Sequence, residues 1–88
     1  MSYKVTYDDE ALRQLRKMDK NVSSRIISWV DENLRGCDNP RKTGKALDGK
    51  HAGKWRYRVG DYGIIAKIED GMLRILIVEV GNRKNVYR

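Results

Sequence analysis

The chain has one cysteine, Cys37, and one histidine, His51. A lone cysteine excludes an internal disulfide. With a single histidine beside it, neither a Cys/His cluster of zinc-ligand spacing nor a catalytic histidine pair can form. No residue set calls for a metal or any other cofactor. The N-terminal stretch MSYKVTYDDE lacks the apolar core of a signal peptide, and no run reaches the length of a membrane-spanning helix. A cytosolic, cytoplasmic protein is the expectation. There is no internal repeat, low-complexity tract or interdomain linker, so residues 1–88 read as one small domain. A chain of this size buries roughly 60–65% of the surface its unfolded form exposes, which implies modest stability. The apolar fraction is 40%, set in periodic runs, and this argues against disorder although 35% of residues are charged.

What the chain has in excess is positive charge, and that charge is local. The segment from Arg41 to Arg58, RKTGKALDGKHAGKWRYR, holds seven lysines and arginines against one acid, so it carries +6 of the formal net charge of +7. Residues 1–40 are balanced. A dense cationic patch fits a phosphate backbone or an acidic protein. It equally fits a solvated face.

Periodicity places the patch in a fold. Tyr3 to Tyr7 alternates apolar and polar residues and predicts a strand. Asp8 or Asp9 can cap the helix that follows, with Ala11, Leu12, Leu15 and Met18 as its apolar stripe. Asp19-Lys20-Asn21 is a break, with Asn21 a candidate second cap. Val22, Ile26, Trp29, Val30 and Leu34 then follow helical spacing, and Gly36 and Pro40 end the second helix. Residues 37–53 read as loop. The remainder predicts a meander: Trp55–Val59, a two-residue turn at Gly60-Asp61, Tyr62–Glu69, a second two-residue turn at Asp70-Gly71, and a central strand over Met72–Val80. The expected class is α+β, a helical hairpin on one face of a mainly antiparallel sheet.

The turns predict a register. Arg58 should pair with Gly63, and Gly63 with Val78. One face then carries Trp55, Tyr57, Val59, Tyr62, Ile64, Ala66, Ile68, Leu73, Ile75 and Ile77 toward the helices. Arg56, Arg58, Gly63, Ile65, Lys67, Arg74, Leu76 and Val78 point to the uncovered side. The tail GNRKNVYR follows directly and can bring Arg83 and Tyr87 over its rim. Trp29, Trp55 and Tyr57 read as core, His51 as an exposed loop residue.

With KALDGKHAGKWRYRVGDY and VGNRKNVY in view, nearly the whole chain resembles the RelE family of bacterial toxins, which shares ancestry with ParE-type toxins. The resemblance implies a metal-independent endoribonuclease that enters the ribosomal A site, cuts mRNA there and inhibits translation. It also implies a cognate antitoxin as partner, and operator DNA only through the antitoxin complex. The ParE alternative is inhibition of gyrase by protein binding without RNA cleavage. Carried over by position, the implied catalytic residues are Arg56 and Arg58, Arg83 after Gly81, and Tyr87. The basic residues Arg41, Lys42, Lys45, Lys50 and Lys54 are the expected RNA contacts.

Metal-free cleavage needs a base for the 2′-hydroxyl, charge stabilisation at phosphorus, and an acid for the leaving 5′-oxygen. Guanidinium forks suit the phosphate. Tyr87 among arginines is a candidate base, or alternatively a stacking platform for a nucleobase. The chain departs from the family at Gly63, where an arginine usually follows the tyrosine of the GDY motif. Glycine there either relieves crowding or marks a bulge, or it replaces an active-site arginine and leaves the chain attenuated or inactive.

Overall fold

The computed structural model describes residues 1–86, the side chain of Asn85 excepted; Tyr87 and Arg88 lie outside the described residues. Among the described residues, eight strands and α-helices follow in order, besides two 3₁₀ turns: β1 (Lys4–Tyr7), α1 (Asp9–Lys17), α2 (Lys20–Asn33), β2 (Lys45–Ala46), β3 (Trp55–Val59), β4 (Tyr62–Glu69), β5 (Arg74–Asn82) and α3 (Arg83–Val86). The strands form one sheet in the order β1-β5-β4-β3-β2. Only the β1–β5 pair is parallel. This is the expected α+β arrangement, with β4 rather than β5 at its centre.

The helices start where short acids can cap them. The Asp8 carboxylate accepts from the Ala11 N–H at 2.9 Å, and Asp9 and Glu10 suit the positive first turn of α1. Asp19, not Asn21, caps α2, accepting from the Asn21 N–H at 2.8 Å. Asn21 is already helical, so the break is a residue or two shorter than the sequence suggests. Ile26, Val30 and Leu34 recur every four residues and are buried against the sheet. Gly36, at φ +78°, turns the chain out of α2. Its N–H donates to the Tyr3 carbonyl at 2.8 Å, and the Tyr3 N–H donates to the Cys37 carbonyl at 2.9 Å. The end of α2 is thereby tied to the start of β1.

One sheet face makes the core with α1 and α2. Tyr57, Val59, Ile64, Ala66, Ile75 and Ile77 are buried there, and Trp55, Tyr62, Ile68 and Leu73 pack at its margin. That is the face predicted from the turns. Removing one of these aliphatic side chains, as in Ile26→Ala, typically costs about 2–5 kcal/mol.

The first hairpin has the predicted register, Arg58 opposite Gly63 and Val59 opposite Tyr62. The second does not. Gly63 pairs with Gly81, not Val78. Two causes add. Asp70–Met72 forms a 3₁₀ turn and Leu73 takes φ 48°, so the connection is longer than two residues and Glu69 pairs with Arg74. A shift of two residues preserves the faces. A bulge then falls where Ile65 pairs with Glu79 but Ala66 with Ile77, which leaves Val78 without a cross-strand partner. Beyond it the alternation inverts, so Val80 enters the core and Gly81 lies opposite Gly63.

The far side of the sheet is also not fully open. α3 packs on β4 and β5 there. Val86 is buried, and a Cβ built on Gly81 would meet its Cγ2 at 2.8 Å. Ile65 and Gly63 are buried on this side as well.

Candidate nucleic-acid interface

The β3–β4 turn and the start of α3 meet at one end of the sheet. Gly60 supplies the positive φ of 61° that the two-residue turn needs. The Arg83 N–H donates to the Asp61 carbonyl at 3.1 Å, which fixes α3 to that turn. Arg58 on β3 and Arg83 on α3 then line one open cleft of about 590 Å³, together with Asp61, Asn82 and Lys84. A second cleft of about 230 Å³ is lined by Arg56, Arg58 and Lys45, with Thr43, Gly44, Trp29 and Tyr57. Arg58 belongs to both and joins them. Lys45 stands directly across β2–β3 from Arg56.

The basic loop is held in place by its aromatics. The Trp55 indole N–H donates to the Thr43 carbonyl at 2.7 Å, and the Tyr57 hydroxyl donates to the Pro40 carbonyl. Tyr57 packs against Trp29 with ring centroids 5.6 Å apart. Burial pushes the Tyr57 hydroxyl far above the ordinary tyrosine range, so it is a fixed donor and not an acid. Trp29, Trp55 and Tyr57 are therefore structural, as read from the sequence.

The other predicted RNA contacts are dispersed. Arg41 makes a two-point ion pair with Asp70, both nitrogen–oxygen distances being 3.0 Å, and Asp70 also accepts from the Tyr3 hydroxyl at 2.6 Å. This cluster sits at the opposite end of β4, about 25 Å from Tyr62 at the usual rise per residue. Lys42 borders a depression beside Glu32 and Asp38. Lys50 is exposed on the 3₁₀ turn Gly49–His51. Lys54 lines a cleft of about 260 Å³ with His51, Ile65, Lys67, Val78 and Glu79. His51 is half-buried, not exposed, and its Nε2 is buried without a hydrogen-bond partner among the described residues. Tyr87 lies outside the described residues.

Sequence reasoning missed Asp61, Asn82 and Lys84 at the main cleft. Asp61 sits beside the turn glycine and Lys84 beside Arg83, so their neighbours on the chain were the available signal. Among the described residues no His, Cys, Asp or Glu cluster suited to a metal ion occurs, and no helix is long and apolar enough to cross a membrane.

The family model described as the ParE toxin of type II toxin–antitoxin system, parDE, matches residues 5–87. The chain belongs to this toxin family. This ParE-family toxin is 29% identical over 86 residues to Toxin RelE of Mycobacterium tuberculosis, covering 98% of this chain and 87% of that protein. It is 27% identical to Toxin RelG of the same organism, covering 100% and 99%. Its fold is similar to the toxin–antitoxin complex RelBE2 from M. tuberculosis, with TM-score 0.84 and 25% identity over 94% of this chain and 100% of that one. The archaeal RelE–RelB complex from Pyrococcus horikoshii shares the fold at TM-score 0.68 and 22% identity, over 98% and 100%. The chain is thus the toxin of a toxin–antitoxin pair in the RelE/ParE superfamily.

Proposed function

We propose that this toxin is a ribosome-dependent mRNA endonuclease that cuts in the A site and so inhibits translation. The single observation that carries the reading is the shared cleft of Arg58 and Arg83, with Arg56 and Lys45 adjoining. Two guanidinium groups from different elements, fixed by a backbone hydrogen bond, suit one phosphate and the charge that builds on it during attack. Relatives named RelE and RelG toxins support the same direction. Arg83 and Arg56 act on the phosphate, Arg58 binds it, and Tyr87 serves as base or stacking platform. Lys54 and Lys50 are the remaining candidates for contacts to mRNA or ribosomal RNA. The partner that neutralises the toxin is an antitoxin protein, as in the complexes whose fold it shares.

Gly63 bears on the rate. It is buried between Arg58 and Gly81, beside the spot where Val86 packs. Glycine there leaves the position opposite Arg58 without the arginine usual in RelE toxins. The chain accordingly cuts more slowly than one carrying arginine there.

The matching family is that of ParE toxins, and this favours gyrase as a second reading. Induction in a sensitive host separates the two. Loss of translated mRNA without DNA damage supports the endonuclease, and a DNA-damage response with intact mRNA supports the gyrase inhibitor.

A further inference from the structure

Among the described residues lining the main cleft, three are cations, one is an amide, and Asp61 alone is a carboxylate. Its side chain forms no ion pair and no hydrogen bond among the described residues, although Arg58, Arg83 and Lys84 border the same space. The side chain is exposed and its backbone is fixed. Asp61 follows Gly60 in a two-residue turn, and its carbonyl is committed to the Arg83 N–H at 3.1 Å. Arg58, Asp61 and Arg83 are thus placed by one hydrogen-bonded unit.

A carboxylate repels a phosphate and accepts a hydrogen bond from a hydroxyl. In a cleft otherwise built for phosphate, it selects for the sugar. Guanidinium and ammonium groups carry no acceptor. From this we infer that Asp61 is a catalytic residue, the general base that takes the proton of the ribose 2′-hydroxyl, which leaves Tyr87 the stacking role. The inference rests on the endonuclease reading and names a residue for it. In the step, the O2′–H bond breaks and its proton goes to an Asp61 carboxylate oxygen. The O2′ electron pair forms the bond to phosphorus. The P–O5′ bond breaks, and O5′ leaves with a proton taken from water. The products are a 2′,3′-cyclic phosphate and a 5′-hydroxyl, and Asp61 returns its proton to solvent. Arg58 and Arg83 hold the non-bridging oxygens throughout.

The test uses ribosomes programmed with a defined mRNA under single-turnover conditions. Asp61→Asn keeps the turn and the carbonyl to Arg83. It should lower the cutting rate about 100-fold or more, the usual contribution of a general base, with half-saturating toxin concentration unchanged. Asp61→Glu should restore part of the rate. An mRNA with sulfur in place of the bridging 5′-oxygen releases a thiolate that needs no proton. Such a substrate rescues a missing acid but not a missing base, and it should leave Asp61→Asn slow. Cutting by Asp61→Asn at the parent rate, while Arg83→Ala is inactive, overturns the inference and leaves the endonuclease reading standing. Rescue by the sulfur substrate makes Asp61 an acid and also overturns it. Absence of cutting by both the parent and Gly63→Arg removes the endonuclease reading, and this inference with it.

Discussion

Gly44 shows how a single residue shapes the basic loop. It sits at φ +84°, and a Cβ there would clash with the Arg56 carbonyl oxygen and lie 2.6 Å from Trp55 Nε1. Gly44→Ala combines backbone strain with a clash against backbone, so a cost of about 1–3 kcal/mol is expected in urea unfolding. Lys45 and Arg56, which follow it in the sheet, should lose their alignment in the same variant. Asp70 acts at the other end of the sheet. Its hydrogen bonds from Arg41 and then Tyr3 hold its carboxyl below the usual range. A depressed folded value means stabilisation that is fully present above the unfolded carboxylate value of about 4 and is lost as pH falls through the lower folded one. Glu69, held low by Arg74 at 2.6 Å, adds in the same direction. Asp70→Asn should therefore flatten the acid limb of a stability–pH curve measured by thermal melting, and leave the slope above neutrality unchanged.

At the scale of elements, α3 is part of the packed fold. Val86 is buried on Gly81, so Val86→Ala should lower stability by about 1–2 kcal/mol in denaturant unfolding. It should also loosen Arg83 and reduce activity. A four-residue helix gives no periodic signal, which is why no helix was expected in GNRKNVYR. The second hairpin was misread for a related reason. Asp70-Gly71 is a strong turn signal, but Leu73 in the left-handed region extends the connection. The bulge opposite Ile65 falls in the continuous apolar run Ile75–Val78, where no alternation marks a change of register. The first hairpin was legible because Gly60-Asp61 closes in two residues between alternating strands. The helices were legible from Ile26, Val30 and Leu34. Of the site, Arg58 and Arg83 could be brought together from the sequence. Asp61 could not, because a turn aspartate looks the same with or without a chemical role.

For the whole molecule, charge and burial predict how the toxin meets its antitoxin. The concentration of cations in residues 41–58 implies an acidic or amphipathic partner and binding that weakens with salt. Isothermal titration at two ionic strengths measures this, and a salt-independent affinity would place the binding on apolar surface instead. Gly63→Arg should raise cleavage, and because Gly63 is buried beside the seat of α3 it should also lower the melting temperature.

The central claim is that the Arg58–Arg83 cleft cuts mRNA on the ribosome. Primer extension on one mRNA after toxin induction, with translation running and with it blocked, tests that claim most directly. New 5′ ends within codons should appear only when the message is translated, and an Arg58→Ala, Arg83→Ala double variant that still binds antitoxin should produce none. Identical cuts from the double variant, or no cuts from the parent and Gly63→Arg under either condition, would contradict it.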